Sequence, residues 1–104
     1  METTKLVPTE QTEKSKYYEL KEGNVTIEIV KELIPDELYK DYEFEFDNGS
    51  ISVNTKGTHR NRIHIGVNTI YAIKILNDVC LTFSSRNFSV TIYNEIKYIH
   101  TILF

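Results

Sequence analysis

The residues best equipped for chemistry in this chain are six carboxylates, Asp36, Glu37, Asp41, Glu43, Glu45 and Asp47, gathered within twelve positions and interrupted by one cation, Lys40. Tyr42, Phe44 and Phe46 alternate with Glu43, Glu45 and Asp47, so a strand here would carry aromatics on one face and carboxylates on the other. Alternate strand residues stand about 6.6–6.8 Å apart, near the rough spacing of phosphates along an extended nucleic-acid backbone. Such a ladder would fit a groove lined with Lys and Arg on a nucleic-acid-processing protein. The ordinary alternative is the hydrated outer face of a sheet that is wet on one side. Against it stands the lack of interspersed Lys on this strand, where protein surfaces usually mix signs. Asp47-Asn48-Gly49 does not extend into the longer acidic loop with a distal Glu that Ca²⁺ requires, so no metal site is expected.

A second constellation is basic, formed by Lys56, His59, Arg60 and Arg62 in KGTHRNR. It would contact phosphates while Tyr71 or Tyr93 stacked on bases. With His59, His64 and His100 it also offers the two proton-transfer groups and the cation that a ribonuclease needs. Three permanent cations on a net-negative chain give limited affinity, because nucleic-acid binders usually carry a basic excess over the whole domain. The sequence has no P-loop, G-x-S-x-G, H-E-x-x-H, paired C-x-x-C or Rossmann glycine pattern, and four Gly in all. Cys80 is the single cysteine, so it reads as a small buried hydrophobe in VCLTF rather than as half of a disulfide. The expectation is a protein without enzymatic activity, cofactor or metal.

Elements must hold these groups in place. Asp41–Thr55 reads as a β-hairpin: Ile51 and Val53 alternate with Ser50, Ser52 and Asn54, and Asp47-Asn48-Gly49 tolerates the positive φ of a tight turn. Upstream, residues 1–15 are polar and are expected to form a flexible tail. KYYEL and VTIEIVKEL then read as two strands of a first hairpin around Glu22-Gly23-Asn24, and Pro35–Lys40 as a short helix with acids at its positive end. Downstream, RIHIGV, TIYAIKIL, VCLTF and FSVTIY read as a meander of strands. The final EIKYIHTILF fits a helix stripe or a strand, and its composition favours strand.

Thirteen Ile, seven Val and eleven Thr against one Ala favour strands, because β-branched side chains pack well on a pleat. With 104 residues the chain fits one domain, residues 16–104. The expected fold is mostly β, a single antiparallel sheet or small barrel or sandwich of about seven or eight strands with one short helix. The alternative is α+β with a C-terminal helix.

Residues 1–47 carry 13 acids and 6 bases, net −7, whereas residues 48–104 carry 2 acids and 6 bases, net +4, so a dipolar surface is expected. No apolar run approaches the roughly 20 residues that cross a bilayer, and the N-terminal stretch lacks an export core, which points to the cytoplasm without membrane contact.

In general character, short, acidic, rich in Ile, Asn and Tyr and free of catalytic motifs, the chain resembles the small accessory proteins of phages and other mobile elements. These include anti-CRISPR-like inhibitors of nucleic-acid-targeting defence. The resemblance is one of style and transfers no residue. It implies an inhibitor acting in the host-cell cytoplasm, whose acidic hairpin face fills the basic groove of a partner protein. The alternative is direct nucleic-acid binding, or RNA cleavage, through residues 56–62. An apolar C-terminal segment also suggests a homodimer formed through it.

Overall fold

A computed structural model of the chain describes residues 7–56, 62–77, 80–93 and 98–104. In chain order they form β1 (Glu10–Gln11), β2 (Ser15–Glu19), α1 (Ile27–Leu33), a 3₁₀ turn (Asp36–Lys40), β3 (Tyr42–Asp47), β4 (Ser50–Thr55) and β5 (Arg62–Gly66). A second 3₁₀ turn (Val67–Thr69) leads to β6 (Ile70–Leu76), β7 (Cys80–Ser85), β8 (Phe88–Tyr93) and β9 (Tyr98–Leu103). The fold is mostly β. A six-stranded sheet has the order β1-β2-β6-β7-β8-β9, a three-stranded sheet has the order β3-β4-β5, and every pairing is antiparallel.

Alternation decides what each sheet buries. Ile51, Val53 and Ile65 of the small sheet join Ile73, Ile75, Leu81, Phe83, Val90 and Ile92 of the large one in a single buried cluster. Each such side chain contributes about 1.5–3 kcal/mol when taken out of water. The Tyr42 hydroxyl on β3 donates to the Tyr93 carbonyl on β8, which ties the two sheets together and satisfies a phenol that is 1% exposed.

The segment 25–33 departs from the expected strand. Val25, Ile27 and Ile29 do alternate, but Val30, Leu33 and Ile34 also stand three and four apart, and these are the residues buried in α1 and at its end. Thr26 starts the helix by accepting a hydrogen bond from the Ile29 N–H at 3.3 Å, and Glu28 and Lys31 stand at the ends that suit their charges. No first hairpin forms, because β2 pairs instead with β6, in register Tyr18↔Ile73. The expected helix at 35–40 is a 3₁₀ turn, set by the Leu38 N–H to Pro35 carbonyl bond at 3.1 Å.

The expected tail enters the sheet earlier than Ser15. The Thr9 N–H bonds the Tyr17 carbonyl at 2.7 Å and β1 pairs with β2, while residues 1–6 lie outside the described residues. The extra two-residue strand β1 brings the described strands to nine. The C-terminal segment is strand: β9 pairs with β8 from Phe88↔Leu103 to Tyr93↔Tyr98, so the helical alternative is not realised.

Candidate functional site

The acidic hairpin is built on a two-residue turn. Asn48 (φ 46°) and Gly49 (φ 78°) are both left-handed, the conformation that matches the twist of a tight hairpin and that Asn and Gly tolerate best. It fixes the register Glu43↔Asn54, Glu45↔Ser52 and Asp47↔Ser50. Inside, Tyr42 is fully buried and Phe44 and Phe46 are half-buried. The Phe44 ring lies 5.0 Å from that of Tyr39 in the 3₁₀ turn, and Lys31 of α1 stands 4.8 Å over the Phe46 ring. Outside, Glu43, Glu45 and Asp47 are exposed, and among the described residues no cation pairs with them.

β3 is also an edge strand. The Lys56 N–H bonds the Asp41 carbonyl at 2.9 Å, and by the alternation of an antiparallel ladder Phe44 and Phe46 then direct their backbone N–H and C=O groups away from β4.

The register adds something that single strands do not show. Continuing across β4 to β5, Asn54 faces Arg62, Ser52 faces His64 and Ser50 faces Gly66. The outer face of the small sheet is therefore a column of acids on β3, a floor of small polar residues on β4, and the positions of Arg62 and His64 on β5. Ser52 and His64 form a non-hydrogen-bonded backbone pair, where side chains approach most closely, and Ser52 Oγ lies 2.8 Å from His64 Nδ1. The floor is covered, with Ser52 8% and Asn54 6% exposed. Asn54 Oδ1 is buried with no hydrogen-bond partner among the described residues.

The remaining sequence candidates are dispersed. Asp36 and Glu37 are exposed in the first turn of the 3₁₀ segment, and Glu37 pairs with Lys40 at 3.0 Å, a solvent-exposed contact of small energetic weight. Asp41 caps that turn and is partly buried. Burial, and next to it the Asp36 carboxylate, pushes the Tyr39 phenol above its ordinary value. Lys56 is exposed just after β4, whereas His59 and Arg60 lie outside the described residues. His64 belongs to the small sheet and His100 to the edge strand β9 of the large one, so the two are not neighbours in one sheet. Tyr71 is exposed, and Tyr93 is partly buried at the end of β8.

Burial raises the half-buried Cys80 thiol, and the opposing pull of Lys74 is the smaller effect. Among the described residues no three His, Cys, Asp or Glu side chains converge to hold a metal ion, and no helix is long and apolar enough to cross a membrane. Comparison with protein-family models, with curated proteins and with solved structures finds nothing that matches this chain.

Proposed function

We propose that this protein is a non-enzymatic inhibitor that docks the acidic outer face of its β3–β4 hairpin into the basic, nucleic-acid-binding groove of a partner protein. The observation that supports this reading is the run of exposed Glu43, Glu45 and Asp47 on an edge strand, unpaired among the described residues. Three carboxylates at alternate positions repel one another, and a partner's Lys or Arg relieves that repulsion while the encounter is steered by charge. Asp36, Glu37 and Asp41 extend the surface on the near side of the hairpin. An anti-defence role in the cytoplasm of a bacterial host is the setting in which such a protein would act.

The test is capture of a nucleic-acid-processing protein from the native cell, with duplex DNA or RNA as competitor. Capture by the wild-type chain should be competed by nucleic acid. The triple change Glu43→Lys, Glu45→Lys, Asp47→Lys should weaken it by more than roughly a hundredfold, since losing one partner of a desolvated pair costs about 2–5 kcal/mol. Folding should be little affected, because exposed substitutions shift stability by only about 0.5 kcal/mol. A salt-sensitive mobility shift of labelled RNA or DNA by the isolated protein, abolished by replacing Lys56, Arg60 and Arg62 with Glu, would instead establish the nucleic-acid-binding alternative.

We also propose a homodimer through the C-terminal edge strand. β9 closes one side of the large sheet with Ile102, Leu103 and Phe104 exposed, and a homodimer would cover them.

A further inference from the structure

A cleft of about 420 Å³ opens where the corner between α1 and the 3₁₀ turn meets β2 and β6. That size lies within the range of roughly 300–1,000 Å³ usual for ligand pockets. Its floor is apolar, made by Leu33, Ile34 and Ile75, each 5–6% exposed. Its rim carries three carboxylates, Glu32, Asp36 and Glu37, against the ammonium of Lys16 and that of Lys40, which pairs with Glu37 at 3.0 Å. Into this space comes Tyr18, a side chain only 7% exposed whose hydroxyl has no hydrogen-bond partner among the described residues. Among the described residues only Asn54 Oδ1 is both buried and unpaired, so the Tyr18 oxygen is reached from the cleft and is open to a donor from outside.

An apolar floor below a carboxylate rim, with one phenol oxygen open to the cleft, is the complement of an alkyl stem that ends in a cation. We infer that this cleft receives the side chain of a Lys or Arg projecting from the partner protein. Methylenes lie on Leu33, Ile34 and Ile75, the charged head meets Asp36 and shares Glu37 with Lys40, and one N–H donates to Tyr18 Oη. The net negative rim rejects a carboxylate or phosphate in the same place. That the source is a protein side chain rests on the proposed docking function. Tyr39 holds the 3₁₀ turn against Phe44 at 5.0 Å, so the rim adjoins the hairpin that would meet the same partner.

The test is a titration of the full-length protein, ¹⁵N-labelled, with N-acetyl-arginine amide and N-acetyl-lysine amide, followed by amide chemical shifts. Both should give saturable shifts at Tyr18, Leu33 and Asp36, and neutral N-acetyl-norleucine amide should give none. Asp36→Asn with Glu37→Gln should weaken binding roughly five- to tenfold, two exposed partners having been neutralised. Tyr18→Phe, which removes one oxygen and leaves the packing, should weaken it as well, with the thermal midpoint of each variant reporting that the fold persists. Shifts that fail to saturate, that survive Asp36→Asn with Glu37→Gln, or that norleucine reproduces would overturn the inference. So would spermidine binding at least about tenfold more tightly than the arginine amide, which would make the occupant a free polyamine. Amine binding should survive Glu43→Lys, Glu45→Lys, Asp47→Lys, so the two readings fail separately. A cleft that ignores amines while the ladder still captures a partner sinks this inference alone, and a working cleft without any partner sinks the docking function alone.

Discussion

Asn54 is the residue on the candidate face whose energetics are least settled by its surroundings. It sits on the central strand of the small sheet, 6% exposed, with Oδ1 shut away from water and unpaired among the described residues. An acceptor in that state costs about 1–3 kcal/mol relative to one that is satisfied, and Asn is also poor in strands. Asn54→Val removes the acceptor and supplies a β-branched side chain, so it should stabilise the protein by about 1 kcal/mol. Urea denaturation measures this. A loss of stability would mean that the acceptor is engaged in solution. Ser52 next to it behaves differently, because its hydroxyl is satisfied by His64 Nδ1 at 2.8 Å.

Among the elements, α1 is held by tertiary burial more than by its own length. Seven residues are too few for an isolated helix, so Val30 and Leu33 must supply the stability, and the Thr26 cap defines where it begins. Thr26→Ala removes the oxygen that accepts from the Ile29 N–H and should cost about 1 kcal/mol, read as a lower urea midpoint at unchanged slope. An unchanged midpoint would show that burial alone fixes the helix start. The hairpin β3–β4 has the opposite balance, since its turn residues and register define it locally and its aromatic face then anchors it to the core.

At the scale of the molecule, β3 and β9 each lie at an edge of a sheet. The Phe104 N–H to Asn87 carbonyl bond at 3.0 Å fixes the alternation of the last ladder, so Ile99, Thr101 and Leu103 direct their backbone groups away from β8. A two-fold partner adding to that edge would be centred on Thr101 and would set Ile99 opposite its mate's Leu103. Light scattering should then report a dimer at high micromolar concentration. Thr101→Pro should return it to monomer without breaking a β8–β9 bond, since the lost N–H points outward. A wild-type monomer at that concentration rejects the dimer. At the acidic β3 edge the same kind of pairing would set carboxylate against carboxylate.

The sequence by itself determined the parts governed by neighbours along the chain. Alternation placed Tyr42, Phe44 and Phe46 inside and Glu43, Glu45 and Asp47 outside, Asn48-Gly49 made the turn, and β-branched composition made the fold mostly β. The helix at Ile27–Leu33 was hidden because one stretch satisfied a period of two and a period of 3.6 at once, and only the pairing of β2 with a strand some fifty residues away left it free to coil. The same limit applied to the candidate sites. That His64 and the position of Arg62 share a face with the acids depends on the β4–β5 register. That Tyr18 opens into a cleft with Asp36 and Glu37 depends on how α1 and the 3₁₀ turn pack over β2 and β6. Local preference acts between residues a few positions apart, whereas these juxtapositions exist only once a shared core has brought distant strands together.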